Sequence, residues 1–431
     1  MSNVTYLILA NPKFEMTPSI NTSIKGSLKG KGTITTTQVA QMNFPFPRKV
    51  VIDNISIKVI GIDLGTSRCC AAVNRKNGIS TVQLDNTGER LLPSYVAYDE
   101  EIVKCGKVVV NRLRNYAKST VFDSKRIIGR SLNDVEIDSN WPFRISKNEN
   151  KVVMELKKCG IGVQISAEEV AADLLKHIKQ KSEDFQGTKM TDVVITIPAA
   201  FTEAQKTATI EAAKLAGWEK IELLHEPIAA AFAYFIEKHI PHKSNVLVFD
   251  LGGGTLDVCI FKIENNQILI LSNTGDTKLG GRDFDTVLFN YFLNQLGTKH
   301  DISLIKDKKY KLILDCQRIK EDLSAVASCI LNVDEYEPNM HEIIDISRNE
   351  FQSLTKPLLN RIKNTIHSAL HESKFDEKEI DKILLVGGGS RMPMIKTLLK
   401  KIFPRAEQCC AEHPDEVVAI GAAYYAYSIS S

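Results

Sequence analysis

The chain has 431 residues and a mass of 48.0 kDa, with 43% hydrophobic and 25% charged residues, the proportions of a globular protein of two or three domains rather than of a disordered one. Lys and Arg (55) nearly balance Asp and Glu (52), for a net charge of +3, which argues against nucleic acid or a membrane surface as the partner. Nine cysteines without a CxxC pair argue against a disulfide framework or a zinc site and favour a reducing compartment.

Residues 1–57 hold twelve Ser or Thr but only two acidic residues, Glu15 and Asp53, with no sustained period of 2 or 3.6; the segment is predicted to be a mostly irregular extension. Within it, Val4–Ala10 is apolar but lacks the preceding positive charge of a secretory leader, and a transit peptide fits only weakly. From Lys58 onward, short apolar runs alternate with helical patterns. Val59–Ile62, Cys70–Val73, Asp192–Ile197, Val246–Phe249 and Ile383–Val386 predict strands buried on both faces. Thr202–Leu215, opening on a Thr cap, Ile228–Ile236, Asn360–Leu370 and Val417–Tyr427 predict helices. The longest apolar runs, Pro227–Ile236 and Val417–Tyr427, fall short of the roughly 20 residues that span a bilayer. The alternation predicts an α/β class with sheets covered by helices.

One strand-turn occurs twice. Val59-Ile60-Gly61-Ile62-Asp63-Leu64-Gly65-Thr66-Ser67 is echoed by Val246-Leu247-Val248-Phe249-Asp250-Leu251-Gly252-Gly253-Gly254-Thr255-Leu256-Asp257. Glycine lets the backbone turn sharply and approach a ligand without an intervening Cβ, and successive N–H groups and hydroxyls suit phosphate oxygens. The aspartates would repel phosphate, so they make sense with a cation between, for which hydrated Mg²⁺ is the natural choice. A single such turn is more often a plain strand-end turn; two, each after a buried strand, favour a clamp on a nucleotide's phosphates. Neither GxxxxGK[ST] nor a GxGxxG after a strand is present, which removes P-loop and Rossmann readings. A third turn, Val386-Gly387-Gly388-Gly389-Ser390-Arg391-Met392-Pro393, could lay bare backbone against a planar base with Arg391 on its face.

These three turns, in this order and spacing, resemble the ATPase domain of the 70-kDa heat-shock chaperone family. Asn86–Arg90 before Pro93-Ser94-Tyr95-Val96-Ala97 is similar to the family's GNRTTPSYVAF, and Thr120–Arg130 to TVFDAKRLIGR, with Trp141-Pro142-Phe143 following. Val194–Phe201 resembles VVTVPAYF, Glu226-Pro227 with Ala229–Ala231 resembles NEPTAAA, and Gly275–Asp285 resembles GDTHLGGEDFD. Pro414-Asp415-Glu416 with Gly421-Ala422-Ala423 is similar to the last helix of that domain. The likeness runs from about Val59 to Ser428.

The resemblance implies an α/β actin-like ATPase and sugar-kinase fold: two duplicated lobes, each a mixed sheet flanked by helices, with nucleotide in the cleft between them. Residues 58–239 would form the first lobe, closed by a C-terminal helix within 411–431, and residues 240–410 the second. It implies ATP or ADP with Mg²⁺, and K⁺ as a candidate neighbouring cation. Asp63, Asp250 and Asp257 would hold the hydrated metal, with Glu226 in the same shell. Lys125 would place positive charge near the γ-phosphate, so Lys125, Glu226, Asp250 and Asp63 form the expected catalytic set. Gly65, Thr66, Ser67, Arg68, Gly252, Gly253, Gly254, Thr255, Gly280 and Gly281 would surround the phosphates. Lys320, Ser324, Gly387, Gly388, Arg391 and Asp415 would line the adenosine side. Taken singly, Lys125 reads as a solvated lysine and Glu226 as a helix N-terminal charge.

Several positions depart from the family. Arg68 replaces a Tyr. On the adenine-side helix, Gln317 replaces a Glu, and Glu321 replaces the Arg that stacks on the base, which predicts weaker base affinity. Glu222 reverses the charge of an Arg that docks J-domains, so ordinary J-domain stimulation is doubtful. Ala200 and Lys206 replace a Tyr and an Arg of the relay segment. The family continues with a linker, a peptide-holding β-sandwich and a lid, where this sequence ends at Ser431; the expectation is a nucleotide-binding domain alone.

The leading reading is a slow, monomeric chaperone-type ATPase of the cytoplasm or nucleus, with the endoplasmic reticulum as the alternative, whose partners would be nucleotide-exchange factors or other chaperones. The second is a non-hydrolysing, nucleotide-dependent interaction protein. A small-molecule kinase would need a carboxylate facing a sugar pocket, and no motif supplies one. Cys316, on the expected adenosine helix, is an oxidisable thiol if it is partly exposed.

Overall fold

The structure is a computed structural model that describes residues 43–45 and 58–430, apart from 76–77, 86, 150, 239–242, 266, 304–305, 339 and 411–412. Val4–Ala10, Asn86 and most of the N-terminal extension lie outside the described residues. Within that extension, β1 (Asn43–Pro45) is a strand, a departure from the expected irregularity.

Two sheets repeat one design. The first contains β2 (Val59–Asp63), β3 (Arg68–Arg75), β4 (Gly78–Thr81), β5 (Asp192–Ile197) and β6 (Lys220–His225), in the order β6-β5-β2-β3-β4. The central β2 pairs antiparallel with β3 and parallel with β5. The second contains β7 (Ser244–Leu251), β8 (Leu256–Glu264), β9 (Gln267–Asp276), β10 (Lys382–Val386) and β11 (Glu407–Cys410), in the order β9-β8-β7-β10-β11. Here β7 pairs antiparallel with β8 and parallel with β10. Strand order and direction therefore match one for one, and β2 and β7, which carry the repeated motif, occupy the same central place. The second sheet has one addition: β1 pairs antiparallel with the β9 edge, setting Phe44 opposite Ile268 and burying it.

The parallel steps require crossover helices. On the first sheet α1 (Ala167–Gln186) and α2 (Glu203–Leu215) cover one face; α2 opens on a capping box in which Thr202 and Gln205 exchange hydrogen bonds. The inner faces of both sheets share another pair, α3 (Glu226–Lys238) and the C-terminal α7 of this fold. Between these in the chain lie α4 (Gly281–His300), α5 (Lys306–Ala325) and α6 (Lys356–Ser373), and α7 itself spans Val417–Ser430.

The two longest apolar runs of the sequence are thereby explained. A helix apolar all round must be buried all round. Ile228, Phe232, Val418, Ala422 and Tyr425 pack in one cluster with Val59 and Val194 of the first sheet and Val246, Val248 and Leu384 of the second. Among the described residues, no helix is long and apolar enough to cross a membrane. Each of the two helices also sends a phenol to a strand: Tyr234 donates to the Leu385 carbonyl at 2.9 Å and Tyr427 to that of Val59 at 3.3 Å.

Close approach sets the residue types. A Cβ on Gly421 would stand 1.7 Å from the Ala229 carbonyl oxygen, and one on Gly61 would stand 2.2 Å from the Ala423 nitrogen. Backbone cannot yield there, so Gly421→Ala should destabilise the protein by about 1–3 kcal/mol through overpacking. Gly297→Ala, on the exposed interior of α4 with open space around it, should instead stabilise by about 0.5–1 kcal/mol. Urea denaturation midpoints of the two variants should move in opposite directions from that of the parent chain.

Candidate functional site

The repeated turns bring their aspartates to the carboxyl ends of the two central strands, where open α/β sheets bind ligands. Asp63 closes β2 in register with Thr196 and Cys70. Asp250 lies at the matching place on β7, opposite Asp257 and beside Val386. The turns abut: a Cβ on Gly253 would lie 2.0 Å from Ser67 Oγ, and one on Gly254 would lie 2.7 Å from Thr66 Oγ1. Only glycine permits this contact. The third turn closes the same space, since Gly387 takes φ +74° with its Cβ direction 2.6 Å from Asp250 Oδ1, a conformation that side-chain-bearing residues avoid.

Around these turns lies a cavity of about 410 Å³. Its walls include Asp63, Gly65, Thr66, Ser67, Arg68, Lys125 and Glu226 on one side. Asp250, Gly252, Gly253, Thr255, Gly281, Lys320, Ser324, Gly387, Gly388, Arg391 and Asp415 line the other. Three expected residues stand behind the wall. Gly254 is pressed on Thr66, Gly280 backs Gly253 and Gly254, and Asp257 is 2% exposed. The backbone N–H groups of Gly252 and Gly281 donate to the Thr255 and Gly252 carbonyls, and that of Gly280 to Asp283 Oδ2 at 2.7 Å. At these positions the backbone N–H groups are committed to shaping the loops.

The electrostatics are those of a crowded anionic site. Burial, reinforced by the Glu226 charge and opposed by Lys125, pushes Asp63 up to about 7. The same causes hold Asp257 at about 7, and burial with the charges of Glu226, Asp257 and Asp63 drives Asp250 well above the carboxylate range. Thr196 donates to Asp63 Oδ1 at 3.4 Å and the Ala199 N–H to Asp257 Oδ1 at 3.2 Å, while the buried Asp257 Oδ2 has no hydrogen-bond partner. Lys125 Nζ lies 2.7 Å from Glu226 Oε1, both nearly buried. Burial alone would lower the Lys125 pKa, but the charges of Glu226 and Asp63 outweigh it and raise it above the ordinary lysine value. One cation faces four acids, so the site fits a further positive charge. Among the described residues no three acidic, His or Cys side chains converge closely enough to ligate one ion directly, so the donor set suits an ion held through its water shell, as Mg²⁺ commonly is.

Other expected residues are committed to ion pairs. Lys320 bonds Asp285 at 2.7 Å and the Gly281 carbonyl at 3.2 Å. Arg391, read as a stacking face, grips Asp415 Oδ2 at 2.9 and 3.1 Å. Arg68 pairs with Glu321 at 2.7 Å. Cys316 is fully buried and its thiol is pushed well above the usual value by burial, so the condition of partial exposure for an oxidisable thiol is not met.

The motifs also held residues to which no role was assigned. Arg282, the second residue of α4, is 7% exposed and pairs with Asp123 at 3.0 Å, and its other arm donates to Tyr95 Oη at 2.8 Å. Asp123 takes the left-handed conformation, φ 59°, and also accepts from Trp141 Nε1 at 3.3 Å. Beside it Arg126 pairs with Asp283 at 2.9 Å. The start of α4, next to the Gly252–Thr255 turn, is thus pinned to the segment that carries Lys125. The signal was present in the sequence as paired arginines and aspartates within two quoted motifs, but nothing local tells which acid meets which base.

The model of the Hsp70 protein family matches residues 59–430. The heat shock 70 kDa protein of Emericella nidulans is 35% identical over 376 residues, covering 86% of this chain and 58% of that protein. The heat shock cognate 70 kDa protein 3 of Dictyostelium discoideum is 34% identical over 380 residues, covering 86% and 60%. The heat shock cognate HSP70 protein of Trypanosoma brucei brucei is 33% identical over 380 residues, covering 86% and 56%. The chain therefore spans less than two thirds of the length of these curated relatives.

Removing one partner of a buried ion pair leaves the other uncompensated. Arg282→Met should destabilise the fold by about 3–5 kcal/mol, read as a lowered denaturation midpoint. Arg282→Lys should recover only part of this, because Lys cannot reach Asp123 and Tyr95 with a planar fork.

Proposed function

The chain belongs to the Hsp70 protein family, on the actin-like ATPase fold, and on that premise we propose that its cleft binds ATP with Mg²⁺ and hydrolyses the γ-phosphate slowly, as the nucleotide engine of a chaperone-type cycle. The observation that carries this reading is the Lys125–Glu226 pair set among three aspartates, Asp250 and Asp257 buried and Asp63 half-buried, between two abutting glycine turns. Uncompensated acids of this kind are costly unless a cation completes the site, and that cation in turn would attract an anionic ligand.

The hydroxyls of Thr66, Ser67 and Thr255 and the bare backbone at Gly253 are placed to orient the β- and γ-phosphates. Asp63, Asp250 and Asp257, with Glu226, would hold hydrated Mg²⁺, with K⁺ as a candidate neighbour, and the bound metal would neutralise charge on the phosphate oxygens. Lys125 remains protonated at neutral pH, so its ammonium can offset the charge that spreads over the transferring group. Attack by water on the γ-phosphorus breaks its bond to the bridging oxygen, giving ADP and phosphate. Lys320, Ser324, Gly388, Arg391 and Asp415 form the adenosine side. Glu321 lies there in place of a stacking cation, which supports weak base affinity.

Purified protein should bind ATP and ADP by calorimetry and turn ATP over in a single-turnover assay. Lys125→Ala should slow that turnover by about 10²–10³-fold, and equal rates for the two proteins would defeat the proposed chemistry. A second reading draws on the Arg68–Glu321 pair, which commits a charged residue beside the phosphate turn to the opposite wall: nucleotide would set the angle between the lobes, without turnover, in a regulator of other chaperones. Binding with no measurable hydrolysis favours that reading, and no binding at millimolar nucleotide removes both.

Glu222 lies exposed on β6, the edge strand of the first sheet. Acid there repels an acidic docking motif. A J-domain protein at equimolar ratio should therefore leave single-turnover hydrolysis within about twofold of its basal rate, and a many-fold acceleration would contradict this.

A further inference from the structure

Helix α5 is the wall of the cavity that reaches back to the other lobe. Along its length, Tyr310 and Leu314 pack against the first lobe's core cluster, and Lys309 Nζ donates to the Ser139 carbonyl at 2.7 Å. Lys320 holds the helix to the start of α4. At the cavity itself, Glu321 Oε1 meets Arg68 Nη2 at 2.7 Å across 253 positions of sequence. Both residues line the cavity, on opposite walls: Arg68 directly follows Thr66-Ser67 at the start of β3, and Glu321 directly follows Lys320.

We propose that the Arg68–Glu321 ion pair is a latch that holds α5 closed over the cavity and sets the rate at which nucleotide leaves. The proposal rests on the nucleotide reading above. The contacts between the lobes differ in kind. Arg282–Asp123 is buried, bonded to Tyr95 and Trp141, and built to stay. Arg68 and Glu321 keep 39% and 49% of their side-chain surface exposed. A pair so open to water contributes little to fold stability and breaks readily, and salt screens it. Placed at the rim, between the phosphate turn of one lobe and the adenosine helix of the other, it is the contact that must part before the Glu321 end of α5 can swing away from a bound ligand, while Tyr310, Leu314 and Lys309 still hold the other end to the first lobe. The buried contacts at the start of α4 hold the two lobes together meanwhile.

The test uses the whole chain in four forms: the parent, Glu321→Gln, Arg68→Gln, and the reversal Arg68→Glu with Glu321→Arg. Release of a ribose-labelled fluorescent ADP is followed by stopped flow, and hydrogen exchange over residues 306–325 is measured on the nucleotide-free protein. Each neutralisation should speed release by about two- to fivefold, the effect expected of an exposed pair, raise exchange in α5, and blunt the acceleration that salt produces in the parent. The reversal should restore both readouts toward the parent. Release and exchange unchanged in both single variants would overturn the latch, as would a reversal no slower than the singles. Loss of an Arg68 phosphate contact, by contrast, would affect Arg68→Gln alone and would not be rescued by the reversal. If the parent binds no labelled ADP, the nucleotide function falls, and with it the latch's role in release; exchange in α5 then reports separately whether the pair holds the helix.

Discussion

The structure is organised around a concentration of negative charge that the fold cannot avoid. Two equivalent central strands meet at their carboxyl ends, and each carries an aspartate there, Asp63 and Asp250. With Asp257 and Glu226 added, four acids share a buried place in which Lys125 is the neighbouring cation. Like charges this close raise one another's pKa and resist ionising together. The arrangement persists because the rest of the molecule holds it. The inner helices fix the distance between the sheets through glycine and alanine contacts, and the glycine turns let the two loops touch. An ion pair between lysine and glutamate supplies part of the missing compensation. The raised pKa values of Asp63, Asp257 and Asp250 show the rest of the charge resisted by the site itself, which gives it the character of a place for a cation rather than of a core.

Much of this was legible in the sequence because it repeats. The Asp-Leu-Gly motif after an apolar run fixed both the central strands and their equivalence, and the third glycine turn completed the cavity's outline. The apolar runs Pro227–Ile236 and Val417–Tyr427 were correctly excluded as membrane spans, and their uniform hydrophobicity follows from burial between two sheets. What stayed hidden was pairing. Arg68 and Glu321 were each seen as a departure, one on a phosphate turn and one on an adenosine helix, and each was weighed alone. Their contact is a property of two lobes folding face to face, which no local pattern carries. The same holds for Arg282 and Asp123. The exposure of Cys316 stayed open for a related reason: helix periodicity places a residue on a face, but only the packed neighbour decides whether that face sees water.

Seen together, Arg68 and Glu321 are a single change rather than two. An isolated Glu at the adenosine wall would weaken a stack, and an isolated Arg beside the phosphate turn would add positive charge to it. Paired at 2.7 Å, each removes most of the other's independent effect: Arg68 has an anion already, and Glu321 has a cation to offset its repulsion of phosphate. The pair itself carries no net charge, one positive charge fewer than a Tyr and an Arg would bring, and it connects the two walls of the rim. Affinity and exchange are therefore separable quantities at this site. On the proposed function, the acids and the glycine turns would govern how a nucleotide is held, and the rim pair how the wall closes behind it.

The contacts across the cleft can be ranked by their solvent exposure. Arg282–Asp123 is out of water and has two further hydrogen bonds, so parting it would strand charge in a low dielectric. Arg126–Asp283 is partly covered. Arg68–Glu321 lies largely in water, where separated charges are solvated at once. A motion that swings the Glu321 end of α5 away from the first lobe breaks the third at small cost, leaves Tyr310, Leu314 and Lys309 as anchors of the other end, and spares the first two, which lie at the start of α4. On the proposed function, the rim would thus open from the adenosine side while the floor of the cavity, where Lys125 and the acids stand, keeps its geometry. A cleft that opens from the base end and stays assembled at the phosphate end can exchange its ligand without dismantling the charged site that binds it.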